Sequence, residues 1–121
     1  MTSHHPVRPG RVYDPTRDED GARVLVDRLW PRGLSKQAAA LDEWCRAVAP
    51  SPALRTWYRH DPALFAEFTE RYWTELDDED RADALGHLRQ LHERGPLVLL
   101  TATRSLDISH AAVLADILRA G

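Results

Sequence analysis

The chain has 121 residues, 43% hydrophobic and 29% charged, with a formal net charge of −3. That balance describes one globular domain with room for its own core, and the acidic total argues against a general nucleic-acid-coating role. The single cysteine, Cys45, excludes an intrachain disulfide and any multi-cysteine zinc site, and no apolar run approaches the roughly 20 residues that cross a bilayer.

Residues 1–10 lack the apolar core of a signal peptide and read as a flexible tail, so the expected organisation is a tail over 1–10, one domain over 11–121, and a cytoplasmic location. A first strand is expected at Arg11–Asp14, ended by Pro15, and a second over 22–27, whose unbroken apolar centre Val24-Leu25-Val26 predicts burial on both faces. Ser35 can cap a short helix in the connection after Gly33, and Leu41–Val48 reads as either a helix or a short strand, with a strand around Leu41–Cys45 favoured. Three helix starts follow: Ser51-Pro52, Asp61-Pro62 and the acidic pair Asp77-Asp78. The second helix carries Phe65, Phe68, Tyr72 and Leu76 on one stripe, and the third carries Ala84, Leu85, Leu88 and Leu91. Leu97-Val98-Leu99-Leu100 is the clearest strand, and a last helix is expected from Ser109 to Arg119. Strands alternating with helices predict a small α/β fold, with an at least partly parallel sheet of three or four strands packed against about four to five helices.

Two polar clusters leave buried strands. The first is Asp27-Arg28-Leu29-Trp30-Pro31-Arg32-Gly33; the second is Thr101-Ala102-Thr103-Arg104, which leads into the last helix. In open α/β sheets ligands bind beyond the carboxyl ends of the strands. If the two strands are parallel neighbours, Arg28 or Arg32 converges with Arg104, and the amino end of the last helix points at the same space. The arginine forks suit a small anionic ligand, and Trp30 offers a flat wall. The alternative for each arginine is an ion pair, such as Arg28 with Asp27 or Asp107, that only stabilises a loop. The fifteen arginines against a single lysine, Lys36, dilute the meaning of any one of them.

Trp57-Tyr58-Arg59-His60 forms a second constellation, in which Trp57 can contact a ligand and His60 can transfer a proton. Each also fits a structural helix–helix turn. His110 lies at the start of the last helix, in phase with Val113, Leu114 and Ile117, where it is either a ligand contact or a satisfied core histidine. His60, Asp61 and His110 have no spacing that demands a metal, so no metal is assigned and the cofactor stays unknown. Of the four tryptophans Trp30 is the best candidate for exposure, His87 and His92 read as surface residues, and Cys45 reads as a buried, inert thiol. No Gly-x-Ser-x-Gly elbow, P-loop or Gly-x-Gly-x-x-Gly occurs.

The run from Arg23 to Lys36 resembles the signature of the YeaO-like family, small bacterial proteins grouped as domain of unknown function 488. The likeness continues through Ala49-Pro50-Ser51, Leu54-Arg55, Trp57-Tyr58, His60-Asp61-Pro62, Phe65, Phe68, Tyr72, Glu75-Leu76, the strand at 97–100 and Ala111–Leu114. It implies a small α/β fold and a bacterial cytoplasmic protein, and supplies no reaction. The chain departs from the resemblance at Arg59, where many relatives carry glycine or asparagine, and at Ile108-Ser109, where many carry a His-Asn pair. Two functions compete at this stage. One is a small-molecule site, an enzyme or a binder, for an anionic ligand held by Arg28, Trp30, Arg32, Trp57, Arg104 and His110, with His60 as the catalytic group. The other is a non-catalytic module that docks a protein or nucleic acid through Arg28, Trp30 and Arg32. A homodimer is compatible with both, and neither involves a membrane.

Overall fold

The computed structural model describes residues 5–121. Four strands form one all-parallel sheet in the order β1-β4-β2-β3: β1 is Val7–Arg11, β2 Ala22–Leu25, β3 Glu43–Trp44 and β4 Leu97–Thr101. β4 enters last and lies between β1 and β2, so the two polar exits foreseen after β2 and β4 are neighbours at one carboxyl edge. Five helices accompany the sheet: α1 (Lys36–Ala39), α2 (Pro52–Tyr58), α3 (Phe65–Glu75), α4 (Glu79–Arg94) and α5 (His110–Ala120).

The sheet alternates its side chains between two apolar layers. Val7, Val24, Val26, Leu97 and Leu99 face the layer built by α2 to α5, with Phe68, Tyr72, Leu88 and Leu114 fully buried there. Val12, Leu25, Val98 and Leu100 face a thinner layer closed by Ala39 of α1 with Trp30, Leu34, Leu41 and Trp44. The expected burial of β2 and β4 on both faces is therefore realised by unequal covers.

The first strand lies four residues earlier than expected. Val7–Gly10, read from the sequence as tail, pair in register with Leu97–Leu100, and of the expected strand only Arg11 falls within β1. Met1–His4 lie outside the described residues. Pro9 and Gly10 disguise this strand. An edge strand tolerates a proline, and a Cβ at Gly10 would come within 3.0 Å of Arg8 Nη1 and Val98 Cγ2.

The helix starts follow the sequence cues. The Ser35 and Ser51 hydroxyls accept from Ala38 and Leu54 N–H, and Asp61 caps a short 3-10 turn, Pro62–Leu64, that leads into α3. Two surface readings are corrected. Trp73, not Trp30, is the exposed tryptophan, at 54%, because it lies off the Phe68–Tyr72 stripe of α3. His92 is buried, with Nε2 2.7 Å from the His5 carbonyl, because α4 turns that position toward the amino-terminal segment; His87 is exposed and pairs with Glu43.

Candidate functional site

The strand exit at Asp27 is fixed from three sides. The Trp44 indole N–H donates to the Asp27 carbonyl at 2.7 Å, and the Ala102 N–H donates to Asp27 Oδ2 at 2.8 Å. The third contact comes from His110, the first residue of α5. Its Nε2 is 3.1 Å from the Val26 carbonyl and 3.2 Å from Asp27 Oδ1. Both neighbours are acceptors, so Nε2 carries the proton, and in the neutral ring Nδ1 carries the lone pair. One N–H cannot point straight at two acceptors, and Oδ1 is left buried without a well-directed donor. Nδ1 makes no hydrogen bond among the described residues and is not sealed from solvent. Burial pushes the Asp27 carboxyl up, but the neighbouring His110 and the Ala102 N–H outweigh it and hold the group below its ordinary pKa. Asp27 is therefore ionised at neutral pH.

This pair forms the inner part of a pocket of about 310 Å³ lined by Asp27, Ala49, Pro50, Arg55, Tyr58, His60, Phe68, Ala102, Thr103 and His110. α2 supplies Arg55 and Tyr58, and the turn after it supplies His60. Tyr58 stacks on Phe68 at 4.1 Å, and its hydroxyl donates to the Ile108 carbonyl at 2.7 Å. Burial and Asp61 raise the Tyr58 pKa, so the phenol stays protonated and serves as wall. Arg59 and His60 both adopt left-handed backbone, φ 51° and 56°, and the second of these conformations sets the imidazole beside the Tyr58 ring at 5.8 Å. Asp61 spends its carboxylate on the Ala63 N–H. Arg55 and His60 are exposed at the mouth; Asp27 and His110 are mostly buried within.

Of the residues expected from sequence, His60 and His110 meet in this pocket. Arg28, Trp30, Arg32 and Arg104 are not part of its lining. Trp30 belongs to the thinner layer: its indole N–H donates to the Leu34 carbonyl at 2.6 Å and its ring meets Trp44 edge-on at 5.4 Å. Arg28, Arg32 and Arg104 are exposed, and among the described residues their guanidinium groups form no hydrogen bond or ion pair, with Asp27 or Asp107 or any other acid. Trp57 lines a shallower hollow with Thr56, Arg59 and Leu64, beneath the Arg71 guanidinium at 4.3 Å. Arg55 is a lining residue that the sequence reading did not single out; its signals there are its place in the Leu54-Arg55 stretch of the resemblance and on the helix that runs into the cluster at 57–60. Burial raises the Cys45 thiol to about 11, which keeps it protonated and inert.

These features define a compact parallel α/β domain with a mixed polar and apolar cleft at the carboxyl edge of its sheet. The chain belongs to the family described as the inactive DUF488-N3 subclade, whose family model matches residues 6–121. An uncharacterized protein of Mycobacterium tuberculosis is 49% identical over 112 residues, covering 93% of this chain and 92% of the relative. The uncharacterized protein YeaO of Escherichia coli is 42% identical over 109 residues, covering 90% and 93%. No solved structure matches the chain significantly. Among the described residues no helix is long and apolar enough to cross a membrane.

Proposed function

We propose that this protein binds a small anionic ligand in the cleft between the ends of β2 and β4 and helices α2, α3 and α5, without chemical turnover. The observation that carries the reading is the mouth of the pocket. Arg55 and His60 stand there exposed, and the Arg55 guanidinium has no carboxylate partner among the described residues. An unpaired arginine fork over an apolar wall of Ala49, Pro50 and Phe68 suits a carboxylate or phosphate head with an apolar body. The description of the family as inactive supports binding over catalysis, and so does a pocket whose tyrosine hydroxyl is spent on a main-chain carbonyl. His60 then acts as a ligand contact.

The test is a titration of the ¹⁵N-labelled protein with pentanoate and with methylphosphonate. The expected shifts fall on Arg55, His60 and Thr103, and Arg55→Ala weakens binding by about tenfold, the cost of one charge-assisted contact. Shifts confined to Arg28, Arg32 and Arg104 would overturn the reading.

A second reading, docking through the loop after β2, draws on one observation: Leu29 is 66% exposed between two exposed, unpaired arginines at 28 and 32. Because Trp30 is committed to Leu34 and Trp44, Leu29 is the apolar anchor this reading needs. Self-association in analytical ultracentrifugation that Leu29→Ser removes would support a homodimer through this loop.

A further inference from the structure

The two ends of the cleft differ in depth and in charge. The mouth carries Arg55 and His60. The floor carries an ionised Asp27 whose Oδ2 accepts the Ala102 N–H and whose Oδ1 is sealed from solvent beside His110. The carboxylate therefore acts on a ligand as a nearby negative charge and not as a direct contact. The group that can make a direct contact is His110 Nδ1, because Nε2 is held by Val26 and Asp27. A lone pair beside a carboxylate repels an anion and accepts a hydrogen bond from a cation. Between floor and mouth the wall is Ala49, Pro50 and Phe68.

We infer that the ligand is bipolar: a protonated amine donates to His110 Nδ1 at the floor, an anionic group stays at the mouth on Arg55, and an apolar spacer lies against Phe68 and Pro50. The inference rests on the reading of the cleft as a ligand site and names the ligand's class, a zwitterionic amino acid or aminophosphonate. The pocket volume lies at the lower end of small-molecule sites, which fits a molecule of that size.

The experiment uses a ladder of ω-aminocarboxylates, 4-aminobutanoate, 5-aminopentanoate and 6-aminohexanoate, since the spacer that fits identifies the span. Each is compared with the acid lacking the amine and with its N-trimethyl analogue, which keeps the charge but has no N–H. The readouts on the labelled protein are the Ala102 amide, the His110 imidazole nitrogens and the Arg55 side chain. At least one aminocarboxylate is expected to perturb all three and to bind about tenfold tighter than both controls. His110→Phe removes that preference, read as the ratio of the affinities of the variant for the aminocarboxylate and for the acid lacking the amine. Equal affinity for all three chemistries, with Arg55 and His60 still responding, overturns the bipolar assignment and leaves the anion reading standing. An imidazole spectrum of the free protein at neutral pH with Nδ1 protonated overturns it as well. No response at Arg55 or His60 to any probe overturns both readings. If His110→Phe does not fold, the ladder on the native chain still decides.

Discussion

Asp27 and His110 meet at 3.2 Å, although one leaves the second strand and the other opens the last helix. The contact joins the carboxyl edge of the sheet to the amino end of α5 and occupies Nε2 of the imidazole. Asp27→Asn tests it. The amide oxygen can still accept the Ala102 N–H, so the fold is retained, but the charge opposite His110 is lost and stability at pH 7 falls by about 1.5 kcal/mol. The sign of the pH dependence follows from the lowered carboxyl pKa. The native contribution is complete above the unfolded carboxyl value of about 3.9 and is lost as pH falls through the lower folded value. Urea denaturation at pH 7 and at pH 3 checks it: the gap between native protein and variant is wide at the first and narrows at the second.

Asp20 carries a second buried charge, and its role is structural. Its carboxylate takes a contact from Arg8 and a 3.1 Å ion pair from Arg23, whose side chain is only 7% exposed. Burial pushes the Asp20 carboxyl up, but the Arg17 N–H and the two guanidinium groups outweigh it and lower its pKa. Arg23 also donates to the Ala39 and Ala40 carbonyls, so it ties the turn before β2 to the end of α1. Asp20→Ala leaves that guanidinium buried without its acid and costs about 3 kcal/mol. As for Asp27, the loss is full above about pH 4 and fades as pH falls through the depressed folded value. Thermal unfolding at several pH values measures it, and an unchanged melting temperature at pH 7 would exclude this role.

Arg59 caps α2 in the left-handed conformation, φ 51°, with its N–H on the Arg55 carbonyl. A side chain there strains the backbone by about 1 kcal/mol, and glycine is the usual residue at this position. Glycine or asparagine adopts this conformation with less strain. Arg59→Gly relieves the strain and forfeits only an exposed bond to the Thr56 carbonyl. Stability is expected to rise by about 0.5 kcal/mol, the strain relief less the added freedom of the unfolded chain. Chemical denaturation resolves this, and a fall would show that the guanidinium contributes more than its single visible bond.

Much of the fold was legible in the sequence because local chemistry and long-range packing agree there. The doubly apolar runs Val24–Val26 and Leu97–Leu100 became adjacent parallel strands, and the caps Ser35, Ser51 and Asp61 began their turns. The first strand was not legible, because Pro9 and Gly10 are turn residues everywhere except at an edge beside large neighbours. The candidate site was half legible. His60 and His110 lie 50 positions apart, yet each sat at an element boundary, where side chains are set toward an edge. The arginines could not be ranked by residue type alone. Arg55 faces the cleft because of the phase of α2 and the position of Pro50, which only the tertiary arrangement reveals.

The tryptophan in the Asp27–Gly33 segment gives the final test, because its sequence reading and its structural role differ. Trp30 sits among the exposed Arg28, Leu29 and Arg32, yet its ring is half-buried against Trp44, and its N–H closes the loop onto Leu34. Trp44 in turn holds the Asp27 carbonyl, so Trp30 reaches the cleft only through a second ring. Trp30→Phe keeps most of the packing and loses one hydrogen bond, about 1 kcal/mol. Trp30→Ala opens a cavity beneath the thinner layer and costs about 3 kcal/mol. If the ring is a clamp, both variants lower the urea midpoint in that order, and the folded Trp30→Phe protein binds the aminocarboxylate ladder with native affinity. A selective loss of binding in Trp30→Phe, with the midpoint unchanged, would instead return Trp30 to the ligand's side of the loop.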